Sequence, residues 1–185
     1  GSRKADVNML GRALGGFMSQ ELSHAVYDGG VFNEFNIPPP GGTTATFITL
    51  DKPSTSSNRA VRIVEYKFDP TYVTPLTPSG LGNIKRKTWK WDAAVLAYDI
   101  KSTGGGAKLE SDAPLCPPPK SGKNGAFVKS VNYYFPLGYT TGMPAYVDIA
   151  IEVVRLEDAV RSVPGSITIF ESRATMINRQ RCNND

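Results

Sequence analysis

Four cations fall within six residues at Lys85, Arg86, Lys87 and Lys90, and the chain's two tryptophans, Trp89 and Trp91, are interleaved with them. Lysine and arginine side chains meet phosphate oxygens, and an indole face stacks on a base for ~1–3 kcal/mol. The same letters suit a solvated β-strand, whose lysines keep an exposed edge from pairing with another strand. Side chains alternate along a strand, so only part of the cluster can face one partner. Trp89 and Trp91 share parity with Val95, which places them at the buried start of a long strand. Lys85, Arg86 and Lys87 then fall on the loop just before it and are the leading phosphate contacts. Lys90, with Arg3 and Lys4 near the N-terminus, completes the candidate nucleic-acid-binding set. Other cations are scattered: Lys120 and Lys123 in a long loop, and Arg173, Arg179 and Arg181 toward a polar, basic C-terminal tail.

Catalytic chemistry finds less support. The single histidine, His24, lies in a helical stretch with no base, acid or metal partner near it in sequence. No GxSxG elbow offers a serine nucleophile. One histidine and two distant cysteines, Cys116 and Cys182, do not supply a closed zinc site. "TGGGAK" lacks the spacing and the following helix of a phosphate loop. Glu110 with Asp112 sits in a Gly/Pro-rich segment without the oxygen-ligand repeat of a calcium loop. Glu157 with Asp158 lies where acids favour a helix start. The expectation is a protein that is not an enzyme and takes no metal and no cofactor.

The elements that must position these residues are mostly strands. Apolar residues from Met9 to Val26 recur at helical spacing, and Gly15-Gly16 interrupts them, which predicts one broken helix or two short ones closed by Gly29-Gly30. After "IPPPGG" the period becomes two. Strands are predicted at 44–50, 60–68, 88–101, 126–135, 145–156 and 166–172. Val147, Ile149, Ile151 and Val153 form one apolar face, and Phe127, Val131, Tyr133 and Phe135 form another, with Lys129 the exception. A change of phase after Trp91 predicts a bulge near Ala93–Val95. Pro, Gly, Ser and Asn fill the stretches between, including 69–83 and 102–125, which read as loops. "LEDAVRSVPG" reads as a helical turn closed by Pro164-Gly165. The fold class that follows is mainly β: an antiparallel β-sandwich or jelly roll with a short N-terminal helical segment. Residues 1–42 form the arm and 43–185 the sandwich domain with its basic tail.

Bulk properties agree with one domain. The chain has 185 residues, 40% hydrophobic and 21% charged, and a net charge of +4 that permits a polyanionic partner without requiring one. No run reaches the ~18 apolar residues of a membrane span, and the N-terminus lacks the order of a signal peptide. Cys116 and Cys182 are expected as reduced thiols in the cytosol. The alternative is one disulfide tying the tail to the Pro-rich loop.

An N-terminal arm, then an antiparallel β-domain with long Pro/Gly/Ser loops and no catalytic set, resembles small viral jelly-roll coat (capsid) proteins over most of the chain. A more local likeness joins "GGVFNEFNIPPPGGTTATFITLDKP" and "FDPTYVTP", which precedes the Trp-containing strand. This part is similar to 30K-type plant-virus movement proteins, with Leu50 and Asp51 standing at their leucine-x-aspartate-like motif. The first resemblance implies a virion protein, present also in the host-cell cytoplasm, that forms homo-oligomers with itself and packs nucleic acid, RNA or DNA being undetermined. The second implies a movement protein binding single-stranded nucleic acid, and a matrix protein on a membrane is a related alternative. A carbohydrate- or peptide-binding sandwich using Tyr133, Tyr134 and Tyr139 is a further one.

Overall fold

Ser2–Leu22 forms one continuous α-helix, α1. The computed structural model describes residues 2–26, 35–50, 61–74, 77–91, 107–116 and 125–178. The expected break at Gly15-Gly16 is absent, and of the two glycines Gly15 serves packing, as does Gly11 before it. Gly11 and Gly15 lie one turn apart, and a Cβ on either would collide with a strand, at Phe170 and Ser172 respectively. The helix tolerates the lower propensity of glycine there in return for close contact with the sheet.

The strands are β1 (Ala25–Val26), β2 (Thr44–Leu50), β3 (Val61–Thr74), β4 (Thr77–Trp91), β5 (Ala107–Pro114), β6 (Ala126–Tyr134), β7 (Tyr146–Arg155) and β8 (Thr168–Thr175), with a short helix, α2 (Leu156–Val160), between the last two. All pair antiparallel in one sheet, ordered β1-β2-β3-β4-β6-β7-β8, and β5 pairs with β4 beside that path. The fold is thus mainly β, with a large antiparallel sheet and an N-terminal helix. The strands predicted at 44–50, 126–135, 145–156 and 166–172 lie within a few residues of β2, β6, β7 and β8, and the helical turn at 156–160 is present.

Three expectations need correction. Residues 69–74 and 77–83 are not a loop: they belong to β3 and β4, which pair antiparallel as far as Thr74 and Thr77, so Lys85, Arg86 and Lys87 sit in mid-strand. Pro70 is accommodated beside register shifts at Pro70/Tyr72 and Tyr72/Thr74, the kind of irregularity where a strand tolerates proline. Residues 107–114 are strand β5. Finally, Phe127 leaves the face of Val131 and Tyr133, because the register shifts between Val128 and Ser130. A bulge at Lys129 returns Val128 to the face of Val131 and turns Phe127 toward Leu81, Val154 and Ala159. The predicted bulge at 93–95, Asp51 and Cys182 lie outside the described residues.

The main core joins α1 to both halves of the sheet. Val7, Leu14, Met18 and Leu22 of α1 pack with Phe47, Val64, Tyr66 and Ile84, and equally with Val131, Tyr133, Val147, Ile149, Ile151 and Val153. The two halves meet at Gly82, which pairs with Val128 of β6, while residues 85–91 pair with β5. Gly82 has no room for a side chain, since a Cβ would collide with the Asp69 carbonyl. β4 therefore changes partner along its length, and α1 packs against residues from both halves of the sheet.

Candidate nucleic-acid interface

Alternation along β4 separates the cations that the sequence runs together. Ile84, Arg86 and Thr88 point toward α1, and Lys85, Lys87 and Trp89 point to the opposite, outer face. Arg86 is committed inward. Its Nε and Nη2 donate to the Glu21 carboxylate of α1 at 2.8 and 2.6 Å, and its guanidinium lies 5.6 Å from the Phe17 ring centroid. The fully buried Tyr66 hydroxyl donates to the same carboxylate at 2.6 Å. A hydrogen-bonded carboxylate favours the charged guanidinium, so Glu21 raises the pKa of Arg86 above its ordinary value. This trio fastens the helix to β3 and β4.

Lys85 and Lys87 are turned outward. Their ammonium groups lie 3.7 Å from Asp69 and 3.9 Å from Asp112. Both pairs are well exposed and longer than a hydrogen bond. The β3–β4 register adds a residue that local sequence pattern does not single out: Lys67, exposed, stands directly across from Lys85. Glu65 stands across from Lys87, so three lysines and three acids share this patch. Only the hairpin register could have revealed Lys67, and proline and glycine on either side of residue 76 disguise that hairpin as a loop. Trp89 is half-buried on the outer face, paired with Ile63 on one side and the exposed Leu109 on the other. It therefore lies outside the core on α1, beside the fully buried Ile63. The side chains of Arg3, Lys4, Lys90 and Trp91, together with Lys120, Lys123, Arg179 and Arg181, lie outside the described residues. Arg173 is on β8, far from β4 in the strand order, bonded to Asp148 at 2.8 and 3.1 Å and stacked 3.8 Å from the Tyr146 centroid.

Glu110 and Asp112 belong to β5 and take part in cross-strand pairing. Glu110 accepts from Arg62 at 2.8 and 3.0 Å and from Thr88 at 3.3 Å. Among the described residues two clefts beside α1 stand out. One, of about 390 Å³, is lined by Phe17, Gln20, Glu21, His24 and Thr49, and His24 Nδ1 lies 2.9 Å from the Gln20 carbonyl. The other, of about 440 Å³, is lined in part by Val7, Asn8, Arg155 and Asp158. Arg155 is held there by Asp6 at 3.2 Å and Glu157 at 3.4 Å. Cys116 is a half-buried free thiol whose pKa burial pushes up, away from thiolate reactivity. Among the described residues no three His, Cys, Asp or Glu side chains are grouped to hold a metal, and no helix is long and apolar enough to cross a membrane. Compared with known proteins, the chain matches no family model, no curated protein and no solved structure.

Proposed function

We propose that the chain is a non-enzymatic structural subunit, of the viral coat-protein kind its layout resembles. In this reading it associates with its own copies and contacts nucleic acid through the outer face of β3 and β4. The observation that carries the nucleic-acid role is the register that sets Lys67 across from Lys85, with Lys87 next on the same face. Like charges directly opposite one another weaken a sheet, and a phosphate seated between them turns that repulsion into attraction. Asp69 and Asp112 lie too far from the lysines for hydrogen bonds. Exposed pairs of this sort contribute ~0–1 kcal/mol, so phosphate oxygens can replace the carboxylates at little cost. The finer fold belongs to the same proposal: a jelly-roll-like closure is supported by the change of partner from β5 to β6 along β4, since such switches make the corners of two-layer β-folds.

Fluorescence anisotropy with labelled single-stranded RNA and DNA of equal length tests the interface. Affinity should fall as salt rises. Replacing Lys67, Lys85 and Lys87 together with alanine should weaken binding at least about tenfold and reduce the salt slope by about 0.7 for each phosphate no longer neutralised. Binding that ignores salt, or a triple variant that binds as tightly as the parent chain, rules this interface out.

A further inference from the structure

β8 is the last strand on the sheet's path, and among the described residues no strand pairs with its other edge. Its ladder to β7 is regular throughout, without bulge or proline, and such an edge is a template for another strand. The Met176 N–H donates to the Ala145 carbonyl at 3.0 Å, which sets the alternation. Even-numbered residues turn their backbone groups to β7, while Ile169, Glu171, Arg173 and Thr175 turn theirs to the open edge. The Ile177 N–H, next in that series, donates to the Ser23 carbonyl at 3.2 Å. The turn after α1 therefore ends the open stretch at Thr175.

We infer that β8 pairs antiparallel with β8 of a second copy of the chain, about a two-fold axis through Ser172. The inference rests on the reading that the chain associates with itself, and names where. In this register Glu171 stands opposite Arg173 of the partner subunit, and Arg173 opposite Glu171 of the partner subunit. Ile169, 59% exposed, stands opposite Thr175 of the partner subunit. Each pair exchanges both backbone hydrogen bonds, and the opposite charges add ~0.2–1 kcal/mol per pair. Arg173 is poised for this, because Asp148 engages its Nε and Nη2 and leaves Nη1 for a second carboxylate. On the inner face Phe170 stands opposite the small Ala174 of the partner subunit. Sliding the register one step in either direction sets Glu171 or Arg173 against its own copy, so charge selects the Ser172-centred pairing.

The test uses the full chain with Cys116→Ser and Cys182→Ser. The two-fold axis brings copies of residue 172 to about 4.5 Å between Cα atoms, within the about 4.4–6.8 Å that a disulfide spans. Mild oxidation should link the Ser172→Cys chain into a dimer. The Glu171→Cys chain, whose copies sit diagonally about 7–8 Å apart, should not link. Sedimentation equilibrium of a Glu171→Arg chain should show a dissociation constant raised about tenfold, as two attractive pairs become repulsive. If the parent chain self-associates but Ser172→Cys fails to link and Glu171→Arg changes nothing, β8 pairing is overturned and self-association stands. If the parent chain is a monomer at every concentration, both are overturned.

Discussion

Tyr66 and Tyr133 are equally inaccessible to solvent, yet their hydroxyls have opposite fates. That of Tyr66 donates to Glu21, whereas that of Tyr133 is buried with no hydrogen-bond partner. Burial raises both phenol pKa values above the usual 10, and for Tyr66 the negative charge of Glu21 adds to the effect. The same substitution should therefore give different results. Tyr66→Phe removes a hydrogen bond to a charged acceptor and should cost about 1.5–3 kcal/mol. Tyr133→Phe removes an orphan hydroxyl and should leave stability unchanged or raise it. Urea midpoints measure both, and equal losses in the two variants would show that Tyr133 has a partner. Alkaline pH offers a second readout. Above pH ~10 the unfolded chain releases phenolic protons that the folded chain retains, so stability falls as pH rises through that value, and Tyr133→Phe should make the fall shallower. At this scale the sequence reveals alternation but not commitment. Period two separates Arg86 from Lys85 and Lys87, but that Arg86 turns inward depends on Glu21, distant in the chain and invisible to local pattern.

Among the elements, α1 tests how a glycine should be read. By propensity alone Gly11, Gly15 and Gly16 all weaken the helix. In the fold they divide: Gly11 and Gly15 admit Phe170 and Ser172, while Gly16 has nothing within 4 Å. Gly16→Ala should stabilise the chain by about 0.5–1 kcal/mol, and Gly11→Ala should destabilise it by about 1–3 kcal/mol as Phe170 is displaced. Thermal unfolding of the two variants checks this, and a Gly11→Ala chain as stable as Gly16→Ala would mean that α1 does not press on β8. Legibility of the strands follows the same logic. β2 and β7 are plain because their alternating apolar residues reach the core. β5 is hidden because its described side chains, from Leu109 to Pro114, are all exposed or half-buried, the large apolar Leu109 among the exposed. It is a strand because β4 pairs with it, and no local period records that. The opening of β4 is hidden by Gly80 and Gly82, whose roles, a positive φ and a close crossing of β3, are set by the hairpin.

For the whole molecule, the expectation of an N-terminal arm and the observed core lead to different behaviour. An arm can be removed from a domain that folds by itself. α1 instead forms part of the main core, and both halves of the sheet place residues against it. Removing Ser2–Leu22 would take away Val7, Leu14, Met18 and Leu22, each worth about 1.5–3 kcal/mol of apolar burial. It would also leave Tyr66 and Arg86 without Glu21. The total loss of roughly 6–12 kcal/mol is comparable with the entire stability of an ordinary domain, about 5–15 kcal/mol. A chain lacking residues 2–22 should therefore show no cooperative urea transition and no dispersed amide spectrum, while the full chain unfolds in a single step followed alike by tryptophan fluorescence and circular dichroism. Trp89 sits on the outer face of β4 and α1 supplies most of the helical signal, so coincidence of the two probes reports coupling across the sheet. A truncated chain with a sharp transition of its own would reduce α1 to an attachment, and the two halves of the sheet would then have to hold together without it.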